Sequence, residues 1–156
     1  MKQNSTVKEQ SLNPQPNVRA TPQSAVTEQF DEHVLAALHA ASEKKALEPV
    51  VLDLREIASF TDFFVLVSGG NERQVQAISD AVSETLKKSG SPAARVEGYK
   101  TAEWILLDFG DFVFHVFDEK ARRFYDLERL WRESKRVILP AEFSGNSDVG
   151  SLRNEL

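Results

Sequence analysis

The 156-residue chain predicts an α/β domain in which a mixed five-stranded sheet is covered by helices. Three observations carry that expectation. Helical and strand periodicities alternate in the order helix, two strands, helix, three strands, helix. Two of the strands, Val50–Leu54 and Phe60–Val67, are apolar on both faces, as strands covered on both sides are. The last two strands are separated only by Phe109-Gly110-Asp111, short enough for a tight hairpin, so part of the sheet is antiparallel.

Each element has its own signal. Phe30, Val34, Leu38 and Ala41 fall at helical spacing and predict a first helix from Thr27 to Lys45. Gly69-Gly70 stops the second strand, and Asn71 is placed as the N-cap of the next helix. Val75, Ile78, Val82 and Leu86 are that helix's apolar stripe, with Lys87, Lys88 and Gly90 as its stop. Three strands follow at Ala94–Gly98, Glu103–Asp108 and Phe112–Phe117, and a last short helix runs from Tyr125 to about Arg132.

Residues 1–26 are rich in Gln, Asn, Ser and Pro and bury too little to offset the entropy of ordering, so they are expected to be a disordered tail. The domain is expected over 27–132 and a disordered C-terminal tail over 133–156. Within that tail the cluster Val137-Ile138-Leu139 before Pro140 either packs back onto the domain or hangs loose. An apolar fraction of 41%, with ten Phe and two Trp, suffices for a core. The chain has no cysteine, which excludes disulfides, thiolate catalysis and cysteine zinc sites. The N-terminus lacks the apolar stretch of a secretory signal. The longest apolar run, Phe63–Val67, is too short to span a bilayer. A soluble, cytoplasmic chain with no membrane partner is the expectation.

The net charge is −5, and the stretch 27–132 carries 13 Lys/Arg against 19 Asp/Glu. Affinity for nucleic acid comes largely from cations that displace counterions, so direct nucleic-acid binding is not expected as the main mode. An acidic domain is steered towards basic surfaces instead.

Ser68-Gly69-Gly70, between a strand and a helix, could offer free N–H groups to a phosphate. It is not a P-loop, since no Gly-Lys-Ser/Thr follows, nor a dinucleotide fingerprint, since Arg73 stands three residues after Gly70. Strand, Gly-Gly and helix do resemble the opening of a nucleotidyltransferase fold, whose enzymes hold metal ions on two carboxylates at alternate positions of one strand. That pair is missing. Asp108 and Asp111 are three apart across a turn, and Asp126 and Glu128 lie in a predicted helix, where i and i+2 diverge. No metal or cofactor is expected. His33 and His39 are six apart, a poor spacing for a shared metal. His115 alternates with Val113 and Phe117 and reads better as a hydrogen-bonded sheet histidine than as a general base. Trp104, Leu106 and Asp108 share one strand face and Ile105 and Leu107 the other. With Tyr125 and Trp131, and acids beside them, the first set reads as an interaction patch rimmed by charge.

The same residues carry a resemblance. Val96-Glu97-Gly98, then Ala102-Glu103-Trp104-Ile105-Leu106-Leu107-Asp108-Phe109-Gly110-Asp111, then Val113–Phe117, resemble the pattern of the Iojap/RsfS family of ribosomal silencing factors. So does Arg122-Arg123-Phe124-Tyr125-Asp126-Leu127-Glu128-Arg129-Leu130-Trp131, and, upstream, Thr61-Asp62 and Ser68-Gly69 followed by Arg73-Gln74-Val75. The likeness spans Phe30 to Trp131. It implies a nucleotidyltransferase-like fold without catalytic carboxylates. It also implies a non-enzymatic factor that binds protein fourteen of the large ribosomal subunit and blocks subunit joining, damping translation or assisting late assembly. Trp104 is then the anchor, with Leu106, Tyr125, Leu127 and Trp131 shaping the patch. Asp108, Asp111 and Glu128 are candidate partners for Lys or Arg. Gly69, Gly70, Gly110 and His115 are structural. The reading leaves a homodimer open for the free protein, and its rival is a metal-dependent nucleotidyltransferase-like enzyme.

Overall fold

The computed structural model describes residues 32–143. The expected tail over 1–26, the start of the first helix and residues 144–156 lie outside that range. Helix α1 is Glu32–Glu43; strands β1 (Leu47–Asp53) and β2 (Phe63–Gly69) lead to helix α2 (Glu72–Lys88). Strands β3 (Arg95–Glu97), β4 (Trp104–Asp108) and β5 (Phe112–Asp118) follow. Helices α3 (Glu119–Tyr125) and α4 (Leu127–Leu130) precede a two-residue strand β6 (Lys135–Arg136).

The α/β class holds, and the strands make one mixed sheet in the order β3-β4-β5-β2-β1-β6. It has six strands and not five, because Lys135–Arg136 pairs with Asp53 and Leu52 at the β1 edge. Only β2 and β5 run parallel, with Val65 beside Phe114; the crossover between them contains α2. Every residue of β2 is buried, which explains its two apolar faces.

The strand expected from Phe60 begins at Phe63 instead. Residues 54–62 form a loop that turns where Ile57 and Ala58 N–H donate to the Leu54 carbonyl at 3.0 and 2.9 Å, while its ends stay bonded to the neighbouring strands. Leu54 N–H donates to the Asp62 carbonyl at 2.8 Å, Asp62 N–H to the Asp111 carbonyl at 2.9 Å, and Thr61 Oγ1 to the Gly110 carbonyl at 3.1 Å. The strand expected over Ala94–Gly98 shortens to Arg95–Glu97. Gly98 has φ +83°, and a Cβ there would lie 2.1 Å from the Trp104 carbonyl oxygen, so only glycine lets the chain leave β3 so close to β4. The hairpin after Asp108 is as expected, with Phe109 N–H on the Phe112 carbonyl at 2.9 Å and Gly110 at φ +90°.

The single helix expected from Tyr125 is two. Asp118 caps α3 by accepting from Ala121 N–H at 2.7 Å, seven residues before the expected start. Asp126 then takes a left-handed conformation, φ 47°, and breaks the path before α4.

Two apolar layers flank the sheet. On one face Val51, Val65, Val67, Ile105, Leu107, Phe114 and Val116 meet α1 and α2. Val137 and Phe143 are buried in this layer too, so of the two alternatives for the Val137-Ile138-Leu139 cluster the chain takes the first and packs back, past the expected boundary at 132, through Phe143. On the other face Leu52, Leu54, Phe64, Leu66, Val113 and Phe117 meet only Ala121, Leu127 and a few partly buried side chains. The second layer is thin because α3 and α4 are short. That leaves aromatic surface uncovered.

Candidate partner-binding site

The uncovered surface is built from alternate residues of β4 and β5 and from what α3 and α4 lay over them. In register, Trp104 faces Phe117 and Leu106 faces His115 across the strand pair. Side-chain alternation sends all four to the thinly covered face. The Trp104 ring stacks on Phe117 with centroids 5.0 Å apart and lies 4.8 Å from the Tyr125 ring. Its indole N–H donates to His115 Nδ1 at 3.0 Å. Phe64 stands edge-on to His115 at 4.5 Å and to Trp131 at 5.5 Å, and Phe60 reaches Trp131 at 6.0 Å. A continuous row of rings thus runs from Tyr125 to Phe60.

The outer members are open to solvent: Phe124 is 80% exposed, Leu130 71%, Phe60 61% and Tyr125 45%. Large exposed apolar side chains at both ends of one aromatic row make this face a candidate interaction surface. Trp104, Leu106 and Trp131 are half-buried beneath it. Beside Tyr125 a surface recess is lined by Glu103, Asp118, Lys120, Ala121 and Phe124.

Several residues named from the sequence take other places. Leu127 is buried in the second core layer and supports the patch from below. Glu128 is not a free rim acid, because Arg122 donates to it through Nε at 3.3 Å and Nη2 at 3.0 Å. Burial alone would raise the Glu128 pKa, but the hydrogen bond and charge of Arg122 outweigh it and hold it low. Asp108 accepts from Gly110 N–H at 2.9 Å and faces Arg95 at 3.4 Å. Asp111 is exposed at the hairpin tip.

The glycines serve packing. A Cβ on Gly69 would lie 3.0 Å from Val75 Cγ2, so this glycine lets α2 sit close on β2. Gly70 N–H donates to Gln74 Oε1 at 2.6 Å, and Asn71 Oδ1 accepts from Gln74 N–H at 2.8 Å. The start of α2 is therefore capped by the chain itself and is not left open for a phosphate. Among the described residues no group of three or more His, Asp or Glu could hold a metal ion, and no helix is long and apolar enough to cross a membrane.

His115 is buried, and burial, with the Arg122 charge adding to it, pushes its pKa down to about 3. Because Nδ1 accepts from Trp104, the ring proton sits on Nε2, which meets no hydrogen-bonding group among the described residues. A neutral, inward-facing imidazole of this kind orients Trp104 and offers no base to a substrate.

Arg122 was legible only as part of a motif, and its role comes from the structure. It is buried, and besides Glu128 it donates to Ser68 Oγ at 2.8 Å and the Glu48 carbonyl at 2.9 Å. It ties α3 to β1, β2 and α4. Phe60, Phe64, Phe124 and Leu130 were also not singled out from the sequence. For Phe124 the available signal was the Asp118 cap, which starts α3 early enough to include it.

Fold and surface together define an α/β domain with an open mixed sheet, one face sealed by helices and the other presenting aromatic residues. The family model described as "Ribosomal silencing factor during starvation" (RsfS) matches residues 27–154. Ribosomal silencing factor RsfS of Halalkalibacterium halodurans is 39% identical over 108 residues, covering 69% of this chain and 92% of that one. A mouse protein named Mitochondrial assembly of ribosomal large subunit protein 1 is 28% identical over 113 residues, covering 70% of this chain and 49% of that one. A crystal structure from Bacillus halodurans superposes with a TM-score of 0.63 at 39% identity, over 69% of this chain and 98% of that one. The chain belongs to the RsfS family of ribosomal silencing factors.

Proposed function

We propose that the chain docks on the large ribosomal subunit through its protein fourteen, and that by standing there it prevents the small subunit from joining. The observation that carries this reading is the row of rings from Tyr125 to Phe60, open to solvent at its outer members and bordered by Glu103, Asp111 and Asp118. An apolar centre with an acidic rim suits a basic protein surface. Membership of a family of ribosomal silencing factors, and a mouse relative named for large-subunit assembly, support the ribosome as the place of action.

Steric exclusion needs no turnover. Three carboxylates on this side are engaged in structure, Asp108 with Gly110 N–H, Asp118 with Ala121 N–H and Glu128 with Arg122, which speaks against the nucleotidyltransferase reading. In the free protein the same face is available to a second copy. The work belongs where large subunits are, in the cytoplasm.

Sedimentation with purified subunits tests the reading. The chain is expected to travel with large subunits and not with small ones, and to lower the yield of joined ribosomes. Equal affinity for small subunits, or for naked ribosomal RNA, would overturn it.

A further inference from the structure

The charge of this domain is not evenly spread. Acids gather around β4 and β5, at Glu103, Asp108, Asp111 and Asp118. The opposite end of the sheet reads Arg129-Leu130-Trp131-Arg132-Glu133-Ser134-Lys135-Arg136, four cations and one acid in eight residues. All four cations are exposed. They lie in α4, the turn after it and edge strand β6, the last strand on the β1 side.

Local acids do little to neutralise them. Lys135 reaches Glu56 at 3.2 Å, but both side chains are more than two-thirds exposed, where an ion pair contributes little. Arg136 lies 3.8 Å from Glu128, which is already held by Arg122. Among the described residues Arg132 donates to the Arg129 carbonyl, at 3.4 Å, and to no carboxylate. With Glu56 and Glu133 counted against them, the edge stays positive on a domain that is otherwise acidic.

We infer that this basic edge, Arg129, Arg132, Lys135 and Arg136, contacts the phosphate backbone of large-subunit RNA beside the docking site. The inference rests on the docking reading above. A ribosomal surface is RNA phosphate interspersed with basic proteins; the acidic end of the domain suits the second and the basic edge suits the first. Three of the four cations are arginines, whose planar forks match phosphate oxygens. The edge adjoins the patch directly, since Leu130 and the half-buried Trp131 lie between Arg129 and Arg132. The contact is auxiliary: a net acidic domain gains too little from four cations to hold naked RNA alone.

The test is the salt dependence of binding to intact large subunits. Each phosphate contact contributes a slope of roughly −0.7 to −0.9 to log affinity against log salt. The full chain carrying R129Q, R132Q, K135Q and R136Q is expected to lose about 3 to 3.5 units of slope and bind at least about tenfold more weakly near 0.1 M salt. Its melting temperature and its affinity for isolated protein fourteen should match the wild type. An unchanged slope on subunits the variant still binds overturns this contact alone. Equal weakening towards isolated protein fourteen also overturns it, because the cations would then face protein. A wild-type chain that does not bind large subunits at all sinks the docking reading and this contact with it.

Discussion

The indole N–H of Trp104 donates to Nδ1 of His115, 3.0 Å away across the β4–β5 pair. The two residues are diagonal neighbours on the sheet, a spacing that long aromatic side chains can bridge. The bond ties a half-buried ring, which Tyr125 covers on its outer side, to a histidine that solvent does not reach. It accepts only while Nδ1 of His115 is unprotonated.

That condition predicts a pH dependence. In the unfolded chain His115 takes up a proton near pH 6.5, whereas in the fold its pKa is pushed down to about 3. A folded pKa below the unfolded one contributes stability that is complete above pH ~6.5 and drains away as the pH falls towards the folded value. The loss is about 1.4 kcal/mol per pH unit, so roughly 2 kcal/mol between pH ~6.5 and ~5. Urea unfolding of the wild type and of His115→Phe at those two pH values isolates the term. The wild type should lose about 2 kcal/mol more than the variant. Equal losses would show that His115 titrates normally in the fold.

The patch predicts a division of labour between Trp104 and Tyr125. Trp104 contacts Phe117, Tyr125 and His115, so Trp104→Ala should cost about 2 kcal/mol of stability, less than the roughly 3–5 kcal/mol of a fully buried aromatic. Tyr125 is 45% exposed, and Tyr125→Ala should cost under about 1 kcal/mol of stability. It should nevertheless weaken large-subunit binding by about thirtyfold, or roughly 2 kcal/mol. Melting and sedimentation on the same samples separate the two effects. Unchanged binding by Tyr125→Ala would move the contact towards Phe60 and Leu130.

Much of this site was legible in the sequence, and the exceptions have physical causes. Alternation along Trp104–Asp108 placed Trp104 and Leu106 on one face correctly, because strand periodicity survives in any tertiary setting. The Asn71 cap and the stripe from Val75 to Leu86 were equally plain, since both are local. The pairing of Glu128 was not legible because it depends on Arg122, six residues away along the chain but bonded also to Ser68 and Glu48 from the two strands beneath. No local pattern announces a long-range arginine. Whether Val137 packs back was left open by the sequence and Phe143 was not singled out, because such apolar residues gain meaning only from the surface that receives them.

Arg122 itself predicts coupled energetics. Truncating one partner of a buried ion pair leaves the other charge unpaired and costs roughly 3–5 kcal/mol. Arg122→Met is expected at the low end, about 3 kcal/mol, since Glu128 is only partly buried and keeps Arg136 nearby. Glu128→Gln retains an acceptor and should cost less. Combining the two should cost less than their sum by at least about 1 kcal/mol, the coupling of groups that share one network. Strict additivity in denaturant unfolding would mean the guanidinium acts through Ser68 and Glu48 alone.

The C-terminal limit of the domain gives the final prediction. The composition after Trp131 suggests a tail, apart from the Val137-Ile138-Leu139 cluster left open above, and with that exception a chain of residues 27–132 is expected to bind ribosomes as well as the full protein. The fold indicates otherwise. Lys135–Arg136 closes the β1 edge, Val137 N–H donates to the Val51 carbonyl at 2.9 Å, and Phe143 is 2% exposed, its ring 5.0 Å from His39 on α1. Phe143 also seals a small recess lined by Leu38, Ala41, Ala46 and Val67, which its loss would open to water. Removing a buried phenylalanine ring costs roughly 3–5 kcal/mol, a large share of the 5–15 kcal/mol that holds a typical domain together. Phe143→Ala is therefore expected to lower stability by about 3 kcal/mol. A chain of residues 27–132, lacking Val137 and the β6 pairing as well, should melt far lower or fail to fold. A chain of residues 27–143 should melt close to the full-length protein. If the 27–132 chain melts and binds like the full one, the packing of Val137 and Phe143 contributes nothing to the fold in solution.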